Sequence, residues 1–142
     1  VTQIEFYTNA VDKLNTACRL AAKAYAARAR MLILCPDPET AQRIDRMLWI
    51  APALGFLPHC APDDPLASRT PVIVDANGGD PPHDDVLVNL RDDWPQYFSR
   101  FRRLIEIVSE HEEDRKRARD RFRFYRDRGY EIRTHDLSQT AR

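Results

Sequence analysis

The nine residues Met31-Leu32-Ile33-Leu34-Cys35-Pro36-Asp37-Pro38-Glu39 carry two signals in one short stretch. Met31 to Cys35 is an unbroken apolar run, short and abruptly bounded, as expected of a strand covered by helices on both faces. Pro36 to Glu39 is a helix start. Asp37 offers a capping oxygen, and Pro38 sits in the first turn, where its missing N–H is not needed. The spacing predicts a helix running to about Trp49.

Outward from this unit the pattern repeats. Toward the start, Gln3 to Tyr7 alternates Ile4 and Phe6 with Glu5 and reads as a half-buried strand. Asn9 is expected to cap a helix from about Ala10 to Arg28, with Val11, Leu14, Cys18, Ala21, Ala22 and Tyr25 at helical spacing. Toward the end, Val72–Val74 and Val86–Leu90 read as strands separated by the turn-rich Asn77-Gly78-Gly79-Asp80-Pro81-Pro82. Trp94 to Phe101 is expected to be a short helix, and Leu104 to Val108 another strand. Ser109 and Glu112 form a Ser-x-x-Glu capping pattern that opens a long basic helix. Gly129 ends it, and Tyr130-Glu131-Ile132 is expected to be the last strand. This alternation predicts a three-layer α/β domain, a mainly parallel sheet with helices on both faces. The sequence has no internal repeat or low-complexity segment, and Cys60 to Thr70 reads as its most dispensable loop.

The 142 residues suit one domain with its own core. No stretch approaches the roughly 18 apolar residues that cross a bilayer, and Val1 to Glu5 lacks a signal pattern, so no membrane association is expected. Cys18, Cys35 and Cys60 are odd in number and widely spaced, which points to a reducing, cytoplasmic setting. With 22 Lys+Arg against 22 Asp+Glu, the chain cannot coat nucleic acid by global charge. Locally it is polarised: Arg115 to Arg128 holds eight basic residues and two acidic ones.

The usual places for chemistry are bare. Thr8-Asn9-Ala10, the loop after the first strand, has no glycine, and the Cys35–Pro38 loop has no phosphate-binding pattern and adds an acid. No nucleotide-binding loop is present, and no cofactor is expected. His59, His83, His111 and His135 fit no metal spacing, so no metal ligand is assigned. His59-Cys60 would make a poor catalytic pair because neighbours in extended chain point apart. The doublets Asp63-Asp64, Asp84-Asp85 and Asp92-Asp93 read as solubilising or capping groups. No catalytic residue emerges. A degenerate enzyme would instead show converging polar groups at the strand carboxyl ends.

Two features ask for more. Met47 to Pro58 carries Trp49 and Phe56 around two prolines, either as an exposed apolar partner surface or as core beneath a loop. On the basic helix, Arg115, Arg119, Phe122 and Arg126 recur at i, i+4, i+7 and i+11 and share one side. That stripe suits an acidic peptide with an apolar anchor, since guanidinium pairs bidentately with carboxylate while the ring receives the anchor. It equally suits single-stranded nucleic acid, with Phe124 or Tyr125 stacking a base. A solvated helix whose Ala118, Phe122 and Tyr125 are core contacts is the third reading.

The ordered set Ile4-Glu5-Phe6-Tyr7, Met31 to Cys35 before acidic residues, Leu48-Trp49 with Pro52 and Phe56-Leu57-Pro58-His59, Val86 to Leu90, and Ala118-Arg119-x-Arg121-Phe122-x-x-Tyr125-Arg126-x-x-Gly129-Tyr130 resembles the chi subunit of bacterial DNA polymerase III holoenzyme. The likeness spans nearly the whole chain, so residues 1–142 are expected to form a single chi-like domain. It implies a Rossmann-like fold without a nucleotide site and a non-catalytic clamp-loader accessory subunit. The implied partners are the psi subunit or an equivalent clamp-loader component, and the acidic C-terminal tail of single-stranded DNA-binding protein, which ends in phenylalanine; contact with single-stranded DNA is then indirect. By resemblance the tail would meet Arg115, Arg119 and Phe122, with Arg126 beside them, and psi would meet Trp49, Phe56 and Val108. The family often has tyrosine at the position of Phe122, so the resemblance implies the apolar half of that site without the hydroxyl.

Overall fold

The computed structural model describes residues 1–50 and 57–140. Seven strands form one sheet: β1 (Gln3–Ala10), β2 (Met31–Leu34), β3 (His59–Cys60), β4 (Val72–Asp75), β5 (Val86–Asn89), β6 (Arg103–Ser109) and β7 (Ile132–Asp136). Their order is β3-β4-β2-β5-β6-β1-β7. Every pairing is parallel. Helices α1 (Lys13–Ala26), α2 (Pro38–Ile50) and α3 (Glu112–Asp127) are joined by a short terminal turn of helix, α4 (Leu137–Thr140). The fold is an open, Rossmann-like α/β arrangement, as the alternation of elements predicts.

Strands buried on both faces explain the continuous apolar runs. On one face α1 and α2 pack Cys18, Ala21, Ile44 and Leu48 over Met31, Ile33, Val74, Val88, Ile105 and Ile107. On the other, α3 packs Ala118 and Tyr125 over Ile4, Phe6, Leu32, Leu87, Leu104 and Val108. Two 3-10 turns, Ala67–Arg69 and Phe98–Arg100, help to close this second face through Ala67 and Phe98.

Several boundaries differ from the expectation, each for a local reason. Asn9 does not cap α1. β1 continues to Ala10 through an irregular register, Asn9 adopts a left-handed φ of 60°, and Asp12 takes the capping role by accepting from the Asn15 N–H at 3.1 Å. Asp37 caps α2 as expected, accepting from Thr40 N–H at 2.7 Å. The expected Trp94–Phe101 helix is reduced to the Phe98–Arg100 turn. α3 opens after His111, and its back-reaching carboxylate is Asp114, which accepts from the Ser109 N–H at 2.8 Å, rather than Glu112. Gly129, at φ 86°, follows the end of α3 in the conformation that favours glycine. The last strand lies at Ile132–Asp136, two residues beyond the expected start, paired along β1.

Candidate functional site

The stripe read from the helical wheel faces a real hollow. Where α3 crosses β6, β1 and β7, a cleft of about 380 Å³ is lined by Phe6, Val108, Ala118 and Phe122, with Thr8, Thr134, Asn9, Arg115 and Arg119 around them. Its apolar floor follows from strand alternation. Phe6 of β1 and Val108 of β6 point to the α3 face, and Phe122 meets Phe6 edge-on with ring centres 5.3 Å apart.

The two cleft arginines are held differently. Arg115 donates to Asn9 Oδ1 at 2.6 Å. Arg119 bonds Glu112, about two helical turns back, at 3.0 Å, with both side chains well exposed. Arg126 does not line the cleft; it pairs with its neighbour Asp127. The arrangement is a greasy slot with guanidinium groups at its edge, which can take an apolar side chain flanked by carboxylates.

Beneath the same helix lies a cluster the sequence reading did not single out. Glu106 of β6 is fully buried and accepts from Arg121 Nε at 3.0 Å, Tyr125 Oη at 2.6 Å and Asn89 Nδ2 at 3.0 Å. Burial pushes the Glu106 carboxyl up, while the Arg121 charge and these donors oppose that shift. Arg121 continues to the Asp92 carbonyl at 2.6 Å, and Asn89 to the Asp93 carbonyl at 2.9 Å. A charged residue inside an apolar strand needs such partners, so Glu106 in Leu104–Val108 was the available signal.

The structure removes the rings that the nucleic-acid reading required. Tyr125 is completely buried. One face of Phe124 is stacked by Trp94 at 3.6 Å, and the Arg128 guanidinium lies 3.7 Å from the ring centre; two groups so close must take opposite faces. Neither ring is open to a base. The charge run is also partly neutralised, through Arg117–Asp92, Arg119–Glu112 and Arg123–Asp120.

A larger cleft of about 630 Å³ lies at the carboxyl ends of the central strands, between Pro36, Arg91, Asp93, Trp94 and Arg117. Its arginines are committed internally: Arg91 donates to the Cys35 and Ala76 carbonyls, Arg117 faces Asp92, and Arg121 is fixed to Glu106. Burial pushes the Cys18 thiol up to about 11 and Cys35 up to about 12, so both stay protonated near neutrality. Among the described residues, no three His, Cys, Asp or Glu side chains gather as a metal site. No helix among them is long and apolar enough to cross a membrane.

Trp49 and Val108 do not form one patch. Trp49 is 60% exposed near the end of α2, edge-on to His59 at the β3 edge, whereas Val108 is buried on the opposite face as part of the cleft floor. Phe56 lies outside the described residues.

The family model described as DNA polymerase III chi subunit, HolC, matches residues 1–133. The chain belongs to the DNA polymerase III chi family. The DNA polymerase III subunit chi of Pseudomonas aeruginosa is 34% identical over 143 residues, covering 96% of this chain and 98% of that protein. That of Escherichia coli K12 is 29% identical over 127 residues, covering 89% and 85%, and that of Haemophilus influenzae 27% over 122 residues, covering 85% of each. Membership makes this chain a replication accessory subunit. In this chi-family chain the matched region contains β1, β6 and all of α3, and so most of the cleft.

Proposed function

We propose that the chain is a non-catalytic, single-domain cytoplasmic link that ties the DNA polymerase III clamp loader to single-stranded DNA-binding protein by holding that protein's acidic C-terminal tail in the α3 cleft. The observation that carries this reading is the combination of Arg115 and Arg119 with the Phe6, Val108, Ala118 and Phe122 floor in one cleft. The terminal ring of the tail enters between Phe122 and the alkyl groups, losing water contact as it does. The carboxylates meet guanidinium N–H donors at the edge, where charge-assisted bonds are about twice as strong as neutral ones. Arg119 then exchanges Glu112 for the tail.

The exposed Trp49 end of α2 is assigned to psi or an equivalent clamp-loader component, with Phe56 as its companion, and Val108 to the tail cleft. Contact with DNA passes through the coating protein. Calorimetry with a peptide ending Asp-Asp-Ile-Pro-Phe tests the tail assignment. Arg119→Glu is expected to abolish binding with the fold intact, and affinity is expected to fall with salt because the edge pairs are exposed. Unchanged affinity of Arg119→Glu rejects the assignment. Tight anisotropy binding of a labelled oligonucleotide at physiological salt, without any protein partner, replaces it with direct DNA binding.

A further inference from the structure

Six arginines lie on α3, and five of them face a carboxylate: Arg117 meets Asp92, Arg119 Glu112, Arg121 Glu106, Arg123 Asp120 and Arg126 Asp127. Among the described residues Arg115 is the exception. Its bonded partner is the neutral amide of Asn9. The orientation of that amide is forced. Asp136 can only accept, so it takes the Asn9 Nδ2 donor at 2.8 Å; Arg115 can only donate, so it takes Oδ1. Asp136 is itself fixed by the N–H and hydroxyl of Ser138, at 3.0 and 2.6 Å. Bonding from Asn9 and then Ser138, with a smaller pull from the Arg115 charge beyond Asn9, holds the Asp136 carboxyl below the usual range, so this anchor is ionised at neutral pH. The left-handed backbone at Asn9, at the irregular end of β1, puts the amide here instead of in a helix cap. Asparagine is among the few residues other than glycine that take this conformation readily.

We infer that Asn9 is a positioning residue that holds Arg115 at the cleft through an uncharged acceptor, so that Arg115 meets an acidic peptide already oriented and not yet paired with a carboxylate. This inference rests on the tail reading above and adds its division of labour. Arg119 must first leave Glu112, whereas Arg115 has no carboxylate within ion-pair distance to release and feels the Asp136 charge only across the Asn9 amide. A guanidinium has five N–H donors and only one is committed to Asn9, so a bidentate face remains for a carboxylate. An aspartate at this position would change that by pairing with Arg115 directly.

The test is calorimetry of the full chain with the phenylalanine-ended acidic peptide, at low and physiological salt, for wild type, Asn9→Gly, Asn9→Asp and Arg115→Ala. Glycine suits the φ of 60° and keeps the backbone, so Asn9→Gly is expected to fold as wild type and to bind about three- to tenfold more weakly through lost preorganisation. Asn9→Asp is expected to bind more weakly still, with a shallower salt dependence than wild type because Arg115 is already neutralised. A purely structural role for Asn9 would leave that salt slope unchanged. If both Asn9 variants bind within twofold of wild type with its salt slope while Arg115→Ala loses affinity, this inference is overturned and the tail reading stands. If Arg115→Ala and Arg119→Glu also bind as wild type, the tail reading falls, and the inference with it.

Discussion

Arg121 and Arg115 stand on the same helix, less than two turns apart, and are used in opposite ways. Arg121 is sealed under α3, fixed to the fully buried Glu106 and the Asp92 carbonyl. Arg115 is held at the edge of an open cleft by a neutral amide. In the chain they belong to one basic run; in the fold one arginine joins the helix to the sheet and the other lies at the edge of an open cleft. Residue type does not separate these roles. What lies opposite each side chain on β6, β1 and β7 does.

The largest effect expected from breaking this contrast is on the sealed side. Glu106→Ala leaves the Arg121 guanidinium buried without its counter-charge, and unfolding in urea is expected to show a loss of about 3–5 kcal/mol. A loss under about 1 kcal/mol would mean that the Glu106 cluster does not hold α3 in place. On the open side the pattern inverts. Arg119→Glu is expected to remove peptide binding while the urea midpoint stays near wild type, because that side chain is exposed and its partner Glu112 is equally so. Phe122→Ala should move both readouts, since the ring is partly buried against Phe6 and also forms the cleft floor. Its loss is expected to cost about 1–2 kcal/mol of stability alongside the lost affinity.

A subtler contrast sits at the start of α3. Burial raises the Asp114 carboxyl, but the Ser109 N–H and Lys13 outweigh it and hold the group below its usual 3.8. A lowered carboxyl contributes stability above the unfolded value, and that stability disappears as pH falls through the folded one. Thermal melts from about pH 5 to about pH 2 should therefore show an acid arm that Asp114→Asn flattens. The smallest change is expected for Asp120→Ala, which removes an exposed i,i+3 partner of Arg123 and should leave both stability and binding unmoved.

The fold was legible because parallel strands buried on both faces leave continuous apolar runs, and because Asp37 and Gly129 mark helix ends with little ambiguity. Arg115, Arg119 and Phe122 were legible for the same geometric reason, their shared helical face. Other features lay outside what periodicity can show. β3 spans only His59–Cys60, too short to carry an alternation. β7 is a mostly polar edge strand whose place is set by pairing with β1, and only Ile132 of its five residues is apolar. Asn9 is common both at caps and at left-handed positions, and sequence alone favoured the wrong one. Glu106 did leave a trace, an acid amid Leu104, Ile105, Ile107 and Val108, with Arg121 and Tyr125 available at i and i+4 on the next helix. Arg126 continues the stripe on a wheel but reaches past the end of the cleft.

The most direct test of the account is an NMR titration of isotopically labelled protein with the acidic, phenylalanine-ended peptide. Saturable shifts are expected, confined to Asn9, Val108, Arg115, Ala118, Arg119, Phe122 and Thr134, with Trp49 and His59 unmoved. Shifts centred on Trp49 and the end of α2, or none at all at a peptide excess that saturates any micromolar site, would contradict it.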